Sequence, residues 1–180
     1  MAARSSETRY GTVAVTIHWL TAIMIVALLG SGLRAASLTD SAAKVEVLAI
    51  HVPLGIGILV LTLARIAWWW FADTKPEPVG NTPRWQEVSA RAVHILFYIV
   101  ILGMAASGIG IIALSGAAPI IRGDEAGPLP DFWDFLPRRP HFIGSRILMA
   151  LFVLHVAAAL YHHFFRRDGL LGRMWFSRGA

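Results

Sequence analysis

The sequence predicts an all-α integral membrane protein, a single domain over residues 1–180 built as a four-helix bundle. Three observations carry that expectation. Of the 180 residues, 56% are hydrophobic and only 15% are charged, against shares of about 45–50% and about 25% in ordinary soluble domains. The mean hydropathy is +0.61. Four runs with few or no charges are each long enough to cross about 30 Å of hydrocarbon, which takes about 20 residues.

The first run, 10–33, lies between Arg9 and Arg34. A basic stretch before an apolar run can be a signal peptide, but this run far exceeds an h-region of about 7–15 residues and contains His18. It reads as a retained helix. The second, 47–72, is interrupted only by Arg65, followed by Trp68, Trp69, Trp70 and Phe71. That aromatic cluster reads as an interfacial belt to which Arg65 snorkels. Residues 73–91 contain Pro76, Pro78, Gly80 and Pro83 and read as a helix-breaking connector. The third helix is expected over 92–116, with Gly108, Gly110 and Gly116 marking its close-packed half and its end. The acidic, proline-rich stretch 122–139 reads as a loop with a short turn around Phe132–Leu136. The fourth helix is expected over 141–165.

The formal charge of +5 and pI near 10.4 do not point to nucleic acid. The basic residues sit at the ends of apolar runs rather than in a patch interleaved with aromatics. Ten Lys and Arg fall on the side of both termini and six on the other, which places both termini in the cytoplasm. The chain has no cysteine, which excludes disulfides, iron–sulfur clusters, thiolate ligation and covalent haem attachment.

Seven histidines remain to be explained. His141 and His155 are fourteen residues apart, which on a helix returns to nearly the same face about 21 Å further along. Sorted by depth, His51 and His141 lie near the outer surface, while His18 and His155 lie in the inner half. His94 and His162 lie near the cytoplasmic ends of their helices, and His163 points elsewhere. Imidazole is costly in hydrocarbon, and helix bundles build cofactor sites from facing side chains. The depth-matched pairs His18–His155 and His51–His141 therefore read as axial ligands of two haems, one above the other. Gly30, Gly32, Gly55, Gly57, Gly103 and Gly108 would let porphyrin faces approach the backbone, or serve helix packing alone. A single membrane histidine is as often a hydrogen-bonding residue between helices. A divalent-ion transporter or proton relay would bring carboxylates into the spans, and none lies in these four cores.

Ile17-His18-Trp19-Leu20, His51-Val52-Pro53-Leu54-Gly55-Ile56, Ala92-Val93-His94-Ile95-Leu96-Phe97-Tyr98 and Leu154-His155-Val156-Ala157-Ala158-Ala159-Leu160-Tyr161-His162-His163-Phe164 together resemble the bacterial cytochrome b561 family, and within it the small superoxide oxidase type. Leu170-Leu171-Gly172-Arg173-Met174 extends the likeness over nearly the whole chain. Matched position by position, the family's axial ligands fall on His18, His51, His141 and His155. The resemblance implies two b haems in the bacterial inner membrane exchanging electrons with ubiquinone, and for that type superoxide oxidised to dioxygen at the periplasmic side.

Arg122, Arg138, Arg139 and Arg146 would gather superoxide by electrostatic steering, against Asp124, Glu125, Asp131 and Asp134 that offset them. His94 and His162 are the candidates for a quinone site, helped by Arg65, Arg91 or Arg166; ordinary helix–helix hydrogen bonding is the other reading of both. Two further functions stay open: an electron-relay anchor for a hydrogenase or another partner redox protein, and a membrane protein whose histidines are structural. The sequence sets no oligomeric state.

Overall fold

The computed structural model describes residues 2–78 and 82–176. Among them four long apolar helices can span a bilayer: α1 (Thr12–Ser37), α2 (Ser41–Phe71), α3 (Arg84–Ser115) and, after the short α4 (Ala118–Arg122), α5 (Arg138–Tyr161). A π turn, His162–Arg166, prolongs α5, and single 3-10 turns cover Phe132–Asp134 and Leu171–Met174. No strand occurs among the described residues.

The helices outrun the apolar stretches that announced them. α2 begins at Ser41 because the Asp40 carboxylate accepts the Ala42 amide at 3.0 Å, an N-cap the hydropathy pattern does not register. α3 begins at Arg84, so residues 84–91 are helical rather than part of a broken connector. Pro83 stands just before it, where a missing N–H costs nothing. α3 stops where Gly116 takes φ 66, a left-handed cap that suits glycine.

Packing runs in a chain: α1 against α2, α2 against α3, α3 against α5. α4 rests on α2 and the Phe132–Asp134 turn rests on α5. Against α5, α1 and α2 make at most sparse backbone contact and meet it through side chains of the buried centre. Each spanning helix contributes one residue to the buried centre, Ile25, Ile58, Ile101 and Leu148. Ile58 lies seven residues from His51, and Leu148 seven from both His141 and His155. The apolar core is thus a middle layer with a histidine level on each side. Ile23, Val60, Ile99 and Val153 turn outward, each about 60% exposed, as lipid-facing side chains do. Of the most apolar stretch of α5, only 6% is buried by the rest of the chain.

The ends form two poles. At one, Arg173 donates to the carbonyls of Thr8, Glu7 and Glu77, joining the N-terminal segment, the α2–α3 connector and the C-terminal turn. Trp19 Nε1 donates to Met174 O at 2.8 Å, and Asp73 accepts from Ser5 and Trp68. The distal pole holds the α1–α2 turn and the stretch from Gly116 to Pro137, tied by Leu129 N donating to Ser41 Oγ at 3.3 Å.

Candidate functional site

The two histidine pairs join α1 and α2 to α5, the helix with which they share little backbone contact. His51 of α2 and His141 of α5 have ring centres 6.3 Å apart; His18 of α1 and His155 of α5 have theirs 6.1 Å apart. A metal–imidazole nitrogen bond is about 2 Å, and the nitrogen stands about 1.1 Å from its ring centre, so two imidazoles on one iron have centres about 6.3 Å apart. Both pairs fit that requirement. Among the described residues no group of three or more His, Asp or Glu could hold a bare metal ion. Two-imidazole sites suit a metal whose other ligands come from a porphyrin.

Both rings of the distal pair have a hydrogen-bond partner at Nδ1. His141 Nδ1 lies 3.1 Å from the Met104 carbonyl, which can only accept, and 3.1 Å from Ser107 Oγ. Ser107 spends its own proton on Met104 O. His51 Nδ1 lies 2.8 Å from Ser31 Oγ, whose proton goes to Ala27 O at 2.7 Å. Facing a carbonyl, His141 carries its proton on Nδ1 and keeps a bare lone pair on Nε2, the ligating form; Ser31, with Ala27 O to take its own proton, allows His51 the same form.

Two glycines expected at porphyrin faces do another job. A Cβ on Gly32 would stand 3.3 Å from His51 Cε1, and one on Gly108 would stand 3.2 Å from His141 Cε1. These glycines make room for the imidazoles themselves. Gly57 faces Met24, whereas Gly30, Gly55 and Gly103 border open space, the room a flat macrocycle would take.

The pair nearer the termini, His18 and His155, has different neighbours. Arg65 does not snorkel to the surface: its Nη1 and Nη2 each lie 3.4 Å from His18 Nδ1. His94 of α3 sets its ring 5.7 Å from His155, and Phe97 sets its ring 5.5 Å away. α3 and α5 pack directly, so that contact belongs to an ordinary helix interface, unlike the bridging pairs.

Residues 9–177 match the family described as prokaryotic cytochrome b561. The chain belongs to that family. It is 28% identical to cytochrome b561 homolog 1 of Escherichia coli (strain K12), over 92% of this chain and 96% of that one. It is 26% identical to cytochrome b561 homolog 2 of the same organism, over 97% and 95%. It is also 26% identical to the probable superoxide oxidase CybB of Yersinia pestis, over 92% and 95%. Membership makes the protein a multi-pass membrane electron-transfer protein and implies haem b.

Sequence reasoning missed some groups in this cytochrome b561 that the structure supplies. Ser31, Ser107 and the Met104 carbonyl orient the distal imidazoles, and seven- or fourteen-residue periodicity has no signal for them. Asp168 is another: its carboxylate meets His162 Nδ1 at 2.5 Å and accepts the Leu170 amide at 3.1 Å. The π turn carries His162 to it. Burial raises the Asp168 carboxyl, but the His162 and Leu170 hydrogen bonds outweigh it and hold the group below the ordinary carboxylate value. No ring contact or hydrogen bond joins His162 to His94 among the described residues, and His163 touches Phe164. Of the four distal arginines, Arg122 is paired with Asp124 at 2.8 Å. Arg138 lies over the Trp133 ring at 4.6 Å and Arg146 over the Phe142 ring at 4.9 Å.

Proposed function

We propose that this cytochrome b561 holds two b haems and passes electrons through the bacterial inner membrane from superoxide at the periplasmic face to ubiquinone. Both termini then lie in the cytoplasm, as the arginine bias favours. The observation that carries the reading is the pair of bridging histidine couples, each at the separation one iron demands, one on each side of an apolar layer. Bound there, haem supplies one-electron redox chemistry. His51 and His141 would hold the outer group, His18 and His155 the inner one.

Superoxide is suggested by the likeness to the probable superoxide oxidase of Yersinia pestis. Arg138, Arg139 and Arg146 cluster around the start of α5, within two turns of His141, and would draw a small anion towards the outer group. Arg122, tied to Asp124, contributes little. The overall reaction balances as two superoxide, one ubiquinone and two protons giving two dioxygen and one ubiquinol. Protons must reach the quinone from the cytoplasmic side. His162, oriented by Asp168 so that Nε2 is its remaining nitrogen, and His94 beside His155 are the groups we assign to that delivery.

Haem-to-protein stoichiometry with redox difference spectra tests the first half of the reading. Two haems per chain and a b-type band on reduction are expected; one or none sinks it. Stopped-flow reduction by superoxide, with ubiquinone as acceptor, tests the second half. Reduction by a partner dehydrogenase but not by superoxide would identify an electron-relay subunit instead. His94→Ala and His162→Ala should slow quinone reduction with both haems retained; unchanged rates would remove them from the quinone site.

A further inference from the structure

Arg65 follows His51 on α2 by fourteen residues, the interval that separates His141 from His155 on α5. That interval returns to nearly the same helix face about 21 Å further along. Arg65 therefore stands at the inner level, in the register position where α2 carries a histidine at the outer level. Its guanidinium is turned inward onto His18, and its Nε is buried without a hydrogen-bond partner. Arginine only donates and keeps its charge at any biological pH. At 3.4 Å the contact with His18 is chiefly electrostatic. Among the described residues no carboxylate pairs with Arg65. The Lys75 ammonium in the neighbouring connector is held below its ordinary value, by burial first and then by the charges of Arg65 and Arg91.

The outer level is built the other way. Both its imidazoles set Nδ1 against oxygen, His51 against the Ser31 hydroxyl and His141 against Ser107 and the Met104 carbonyl, partners that can take the Nδ1 proton. Such acceptors make an imidazole a stronger electron donor and favour an oxidised iron. A fixed cation beside a ligand does the opposite, because reduction adds negative charge to the centre and the cation stabilises it.

We infer that Arg65 is a positioning residue that sets the order of the two reduction potentials, making the inner centre the better electron acceptor and fixing the direction of transfer as outer to inner. In that step one electron leaves the outer centre, which is oxidised, and reduces the inner one; no atom or proton moves. The inference rests on the two-haem reading above.

Redox potentiometry of the purified, detergent-solubilised holoprotein tests it, comparing the native chain with Arg65→Met and Arg65→Lys. The native protein should titrate as two one-electron components. In Arg65→Met the higher component should fall so that its reduced-to-oxidised ratio at fixed potential drops at least tenfold, about 59 mV for one electron. The lower component should not move, and Arg65→Lys should keep most of the native value. A higher component that stays or rises, or a shift in the lower one instead, overturns the inference. So does loss of one haem from Arg65→Met, which would make Arg65 an anchor. Two haems that titrate together in the native protein overturn it too. One haem per native chain would sink the two-haem reading itself.

Discussion

Ser31 shows how one hydroxyl can orient a candidate ligand, His51. With its own proton directed to Ala27 O at 2.7 Å, it is free to accept from His51 Nδ1. His141 has two acceptors, Ser107 Oγ and Met104 O. Partners of this kind typically change metal affinity by about 10–100-fold. Ser31→Ala should therefore weaken outer-haem retention by about that range, measured as haem transfer to an apoglobin scavenger. Ser107→Ala should cost less, because the Met104 carbonyl remains. An equal effect of the two substitutions would show that the hydrogen bonds do not hold the rings. The same scale contains Asp168, which neither histidine counting nor hydropathy could find, since its role depends on a π turn folding His162 back onto it.

Helix by helix, ends and spacing matter more than composition. His141→Ala should remove the outer haem and leave the inner one spectroscopically intact, and His155→Ala should do the reverse. The two histidine levels are separated on α5 by Leu148 and the Ile25, Ile58 and Ile101 layer, so on the two-haem proposal one site can empty without opening the other. Loss of both haems from either change would contradict independent sites. The glycine that ends α3 offers a control far from both. Gly116→Ala places a Cβ at φ 66, a strain of about 1–2 kcal/mol. It should lower the thermal midpoint of the solubilised protein while leaving the redox spectrum unchanged.

In the whole molecule, the pole of the termini is a plate of hydrogen bonds pinned by Arg173 and Asp73. Burial raises the Asp73 carboxyl, but the bonds from Ser5, Trp68 and Thr74 outweigh it and leave its pKa below the ordinary 3.8. A group depressed in the folded state stabilises above its unfolded value and loses that contribution as pH falls through its folded value. Acidification below about pH 4 should thus release the N-terminal segment, read as faster proteolysis near Ser5. Asp73→Asn should be cleaved faster at neutral pH and show little further change on acidification. Chain organisation on this scale was only partly legible. The connections grouped at each pole followed from the count of spans, whereas the contacts made by Arg173 needed the folded chain.

What the sequence determined by itself was the bundle and its two histidine levels. Twenty apolar residues must span as a helix because hydrocarbon satisfies no backbone polar group, and a fixed rise per residue turns spacing into depth. Depth, however, says nothing of azimuth between helices. Tertiary structure alone decided that His18 and His51 meet α5 where backbone contact is sparse, while His94 reaches it from a closely packed neighbour. It alone gave Gly32 and Gly108 to the imidazoles and turned Arg65 inward. Those choices depend on how helix axes sit beside one another, and a periodicity counted along one chain carries no record of it.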